Sequence, residues 1–124
     1  MKYNFIIMMI ILAFFSCNKD KDDKEICKLL NSKDKDEIIK GAFEAANTGN
    51  KKYIPLLLKN ANDNRRSINI KFKGYSVYQA KMLAIKKISK KEPPRIIDKL
   101  SDSLIINYYI LLYKSPCFRQ MDEY

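Results

Sequence analysis

Histidine is absent from all 124 residues, and so is tryptophan. Without His the chain lacks the usual general base at neutral pH and the commonest metal ligand. Ser–His–Asp and Cys–His catalysis are therefore excluded. The three cysteines, Cys17, Cys27 and Cys117, include no Cys-x-x-Cys pair, so a zinc site has no ligand set to draw on. Neither metal nor cofactor is expected, and no catalytic residue is assigned. Only three Gly and four Pro are present. So few turn-formers argue against a hairpin-rich β-fold and favour helices. Acids are scarce in the later part of the chain. From Ile38 to Tyr124 there are seventeen Lys and Arg against seven Asp and Glu, so this stretch alone accounts for the net charge of +10.

What is present begins with an apolar run. Lys2 precedes eleven unbroken apolar residues, Phe5 to Phe15. A membrane-spanning helix needs roughly 20 such residues, whereas a signal-peptide core needs about 7–15. Ser16 and Cys17 follow, and then the wholly polar "NKDKDDKE". Small residue then Cys, after such a run, resembles a bacterial lipoprotein signal, although Phe14 stands where Leu is usual. The resemblance implies cleavage before Cys17 and a diacylglycerol on its thiol. It places the chain in the cell envelope, held at a membrane, with the outer membrane as the expected address. Lys21-Asp22-Asp23 is similar to the short Lys-acid-acid signal that sends some such proteins to the cell surface. The expected division is a signal peptide at 1–16, a lipidated charged tether at 17–25, a folded domain at 26–115 and a tail at 116–124.

Within the domain, Ile26, Leu29 and Leu30 make one short helical turn. A helix is predicted over 34–48. Ser32 or Asp34 would cap it, Asp36 and Glu37 would favour its start, and Gly49 would stop it. Its apolar stripe is Ile38, Ile39, Ala42, Phe43, Ala45 and Ala46. Pro55 suits the first turn of a second helix, expected over 55–62. Ile68, Ile70 and Phe72 alternate with polar residues. With no partner strand in sight, an extended connector that buries Ile70 and Phe72 is expected. A third long helix should run over 77–90 on a stripe of Val77, Ala80, Lys81, Ala84, Ile85 and Ile88, stopped by Pro93-Pro94. "RIIDKL" can form one turn. A last helix over 103–114 is apolar nearly all round, which predicts deep burial.

The order is helix–helix, connector, helix–helix, and the two pairs are spaced by about 45 residues, within the HEAT/armadillo range. "GAFEAANTGNKKYIPLLLKNANDNR" and "FKGYSVYQAKMLAIKKISKKEPP" resemble HEAT-type repeats. The expected fold is all-α, a short HEAT-like array of antiparallel helix pairs. The resemblance implies protein binding rather than catalysis. The basic charge suits an acidic protein partner, although a lysine-rich surface is the plain alternative. No RNA- or DNA-binding motif accompanies it, so nucleic acid is not an expected partner.

Arg65, Arg66, Lys71, Lys73, Tyr75 and Tyr78 are the candidate partner-binding residues, as an aromatic-and-cation patch around Gly74. Arg65 and Arg66 with Asp63 can equally tie one helix pair to the next, and either tyrosine can belong to the core. Cys27 and Cys117 are a candidate disulfide across the domain. Asp98 and Asp102 read better as helix-start residues than as an acid–base pair. The leading function is a non-catalytic, lipid-anchored protein-binding module. The alternative is an immunity-type protein that neutralises a toxin. An envelope hydrolase has no nucleophile motif to support it.

Overall fold

A computed structural model gives the fold, and it describes residues 23–114. The signal run, Cys17, Cys117 and the tail lie outside the described residues. Within them the chain is all-α. Five α-helices are present: α1 (residues 23–30), α2 (Lys35–Thr48), α3 (Ile54–Leu58), α4 (Val77–Ser89) and α5 (Ser103–Lys114). Single 3₁₀ turns at Lys51–Tyr53 and Ile70–Phe72 complete the set. The only β-type pairing among the described residues is an isolated antiparallel bridge between Arg66 and Ser76.

Local chemistry sets the bounds of the long helices. Asp34 caps α2 by accepting from the Asp36 N–H, and Gly49 ends it at φ 66°. Ser76 caps α4 by accepting from the Gln79 N–H, and Lys90 closes that helix in the left-handed region. Such caps satisfy backbone groups that the helix itself leaves unpaired. The buried stripes are Ile38, Ile39, Ala42, Ala45 and Ala46 on α2 and Val77, Ala80, Ala84, Ile85 and Ile88 on α4. α2 packs most extensively on α4, α3 rests on α4 and α5, and α4 also touches α5. The first helices of the two pairs thus pack together, and so do the second. Each fully buried Ile or Leu, such as Ile39 and Leu57, contributes roughly 2 kcal/mol.

α2 and α4 run in the same direction. Both start beside Arg65, whose Nη1 donates to the Lys33 carbonyl and whose own carbonyl accepts from the Val77 N–H. Both end together, where Lys87 Nζ donates to Asn47 Oδ1 at 3.2 Å. α1 lies against α2 at Gly41. A Cβ there would sit 2.8 Å from Leu29 Cβ and 3.1 Å from the Leu30 nitrogen.

Several expectations need correction. Residues 23–25, assigned to the tether, are helical. Asp23 accepts hydrogen bonds from the Tyr53 hydroxyl and the Lys52 ammonium, and these fix it to the domain. α3 stops at Leu58 rather than 62. Lys59 is extended, Asn60 has φ 51°, and "NANDN" offers only Ala61 for burial. The connector buries Phe72 but leaves Ile70 exposed. It is a 3₁₀ turn rather than an extended segment, and Asn69 caps it through the Lys71 N–H. "RIIDKL" is irregular, with Ile97 buried and Ile96 exposed. On α5 only Ile105 and Tyr109 are buried, and Leu104 and Leu111 face solvent. Among the described residues, α3 and α4 cover one side of it only.

Candidate functional site

Two surfaces gather the polar and apolar groups that packing leaves over. The first is the connector between α3 and α4. Its base is closed by the Ser67 N–H on the Tyr75 carbonyl at 3.0 Å and by the Tyr75 N–H on the Phe72 carbonyl at 2.9 Å. Phe72 folds under, its ring 6.2 Å from Phe43, and Tyr75 meets the same ring edge-on at 5.6 Å. Lys73 and Gly74 both take positive φ to turn the chain. The result is a supported loop whose outer side carries Ile68 at 91 % and Ile70 at 93 % exposure. Arg66, Lys71 and Lys73 are exposed around them. No acid occurs between Asn64 and Lys91, a stretch that holds nine Lys and Arg.

The candidate residues separate here. Arg66, Lys71 and Lys73 lie on this surface, and Tyr75 is half-buried beside it. Tyr78 does not belong to it. It is fully buried in α4, because its place on the helix faces inward, and this corrects the surface assignment. Its hydroxyl lies beside the Asp102 backbone without a well-formed hydrogen bond, and burial raises its pKa. Arg65 is engaged structurally. Its Nε and Nη2 grip Asp63 at 2.7–3.1 Å while Nη1 reaches the Lys33 carbonyl. The guanidinium holds the Asp63 carboxyl below its ordinary range. Asp102 serves the start of α5, accepting from the Leu104 N–H at 2.9 Å, and Asp98 accepts from the Lys99 N–H. Cys27 is half-buried. Its proposed partner Cys117, like Cys17, lies outside the described residues.

The second surface is a cleft of about 330 Å³ between the α1–α2 turn, α3 and α4. Lys33, Lys59, Arg65 and Lys81 line it together with Asp63, and Leu30, Ile38 and Leu56 form its apolar part. The sequence places Lys81 only within an apolar stripe. It is 3 % exposed, and its Nζ donates to the Lys59 carbonyl at 2.8 Å. Burial pushes its pKa below the usual lysine value. A lysine inside an otherwise apolar helical stripe was the available signal.

Among the described residues, no group of three His, Cys, Asp or Glu side chains converges to hold a metal. No described helix is long and apolar enough to cross a membrane. No protein-family model matches the chain, and no curated protein or solved structure matches it either.

Proposed function

We propose that the chain is a lipid-anchored protein of the cell envelope, held through Cys17, whose helical domain binds a protein partner without catalysis. The observation that carries this reading is the pair Ile68 and Ile70. Two large apolar side chains stand almost fully exposed on a loop that the fold supports from beneath. Lone exposed apolar side chains, such as Ile96, need no explanation, but neighbouring ones ringed by bases on a supported loop suit a partner contact. The surrounding bases and the absence of nearby acids define the partner's chemistry as an apolar spot ringed by carboxylates. The packing of first helix on first and second on second supports the HEAT-like reading, in which such surfaces serve binding. An immunity-type role uses the same surface and differs only in the identity of the partner.

Two experiments test the proposal. Intact-mass analysis of the mature protein should show Cys17 as the first residue, bearing diacylglycerol. A retained Met1 or an unmodified Cys17 would overturn the anchor. Cross-linking on intact cells should capture a discrete acidic protein. The double substitution Ile68→Asp, Ile70→Asp should reduce that capture at least tenfold, and unchanged capture would overturn the assigned surface. A captured secreted toxin would favour the immunity role over a resident envelope partner.

A further inference from the structure

The cleft beside Lys81 is independent of the connector surface and calls for a ligand of its own. An ammonium has three donors, and the structure gives Lys81 one neutral acceptor, the Lys59 carbonyl. Asp63 is the only carboxylate in the lining, and it is gripped by Arg65 through three side-chain hydrogen bonds. Asp34, at the α2 cap, acts on Arg65 rather than on Lys81. Asp63 attracts Lys81 across the cleft, but with its oxygens on Arg65 it makes no direct hydrogen bond to the ammonium, and a buried charge so incompletely paired is costly. Lys33, Lys59 and Arg65 share the same cleft, giving four bases against one acid. Arg65 uses three of its five N–H donors, so two remain. The volume falls within the usual span for small-ligand sites, about 300–1,000 Å³.

We propose that this cleft binds a short aliphatic carboxylate, with its charged end on Lys81 and Arg65 and its stem against Leu30, Ile38 and Leu56. The apolar wall is what selects a carboxylate on a hydrocarbon stem over a fully hydrated inorganic anion. The carboxylate can be a free acid or a Glu side chain of a bound peptide.

The test is a titration of the full-length chain in neutral detergent, with isoleucine methyl groups observed by NMR. The probes are glutarate, a short peptide with one Glu, and inorganic phosphate. The expected result is a saturable shift of the Ile38 methyl signal with a Kd of about 1 mM or tighter. Lys81→Met should weaken binding at least tenfold, while Lys73→Met on the connector should leave it unchanged. Saturation by glutarate identifies a free-acid site, and saturation by the peptide alone identifies a side-chain site. Both outcomes support the proposal. Phosphate binding as tightly as glutarate would overturn it, since cations alone would then explain the effect. No saturable Ile38 shift with either carboxylate would also overturn it. Should Lys81→Met fail to fold, Lys59→Gln at an exposed position takes its place. It should weaken glutarate several-fold, and no effect would count against the site. Cross-linking through Ile68 and Ile70 is untouched by either result, so the two proposals stand or fall separately.

Discussion

At the residue scale, Asp63 and Tyr78 make opposite predictions. Hydrogen bonding to Arg65 lowers the Asp63 pKa below its ordinary 3.8. The unfolded chain therefore takes up this proton first as pH falls. Stability from the pair is complete above the ordinary value and is lost as pH drops through the folded one. Arg65 is half-exposed, so solvent screens the pair and about 1 kcal/mol is expected at neutral pH. Asp63→Asn should lower the unfolding free energy in urea at pH 7 by that amount, and the deficit should shrink as pH falls below the ordinary carboxylate value. The Tyr78 hydroxyl is buried beside the Asp102 backbone without a well-formed hydrogen bond. Tyr78→Phe removes this poorly satisfied polar group while keeping the ring, so thermal stability should not fall and could rise by up to about 1 kcal/mol. A loss of stability would mean that the hydroxyl has a partner after all. Neither residue's role was fully readable from sequence. Asp63 and Arg65 stand two apart and suggested a tie, whereas Tyr78 carries no mark that distinguishes it from Tyr75.

At the element scale, α2 and α4 were legible because three signals agreed. The apolar period, the capping residues and the stop signals all point to the same bounds. Where only one signal was present, the reading failed. The alternation of Ile68, Ile70 and Phe72 is a strand period without a strand partner, and only Phe72 found a cavity to fill. α5 carries apolar residues on most sides, but periodicity cannot say how many neighbours a helix will have. Its exposed Leu104 and Leu111 record that it has few among the described residues. The α1–α2 contact was invisible in sequence, since Gly41 reads as a weak point in a helix rather than as a docking site. Gly41→Ala should gain up to about 1 kcal/mol of helix propensity. It should lose more, about 1–3 kcal/mol, because the added methyl meets Leu29 and the Leu30 backbone, which cannot yield without moving α1. A lowered melting temperature, with faster amide exchange in residues 26–30, checks this. An unchanged melt would mean that α1 is not firmly docked.

At the scale of the whole molecule, charge and exposed surface matter more than the core. Ile68→Asp with Ile70→Asp touches nothing buried, so thermal stability should stay within about 0.5 kcal/mol of the parent. A larger loss would show that the loop supports the fold rather than a partner. The all-α class and most helices were accessible from composition and periodicity. The basic cleft was not, because its members come from the α1–α2 turn, α3, the following loop and α4, and only the fold brings them together.

The parallel course of α2 and α4 has an electrical consequence. Helix dipoles in opposed neighbours largely cancel, whereas in parallel ones they add, placing roughly half a positive charge at each amino end. Both amino ends lie beside Arg65 and close to the cleft, so the backbone reinforces the field of the side chains there. α1 runs back from the α1–α2 turn to Asp23, which sits against Lys52 and Tyr53 near the carboxyl end of α2. Eight helical residues, about 12 Å, thus separate the point where a tether from Cys17 would enter from the positive pole. Anionic molecules would approach that pole preferentially, at a rate that falls as salt shortens the reach of the field.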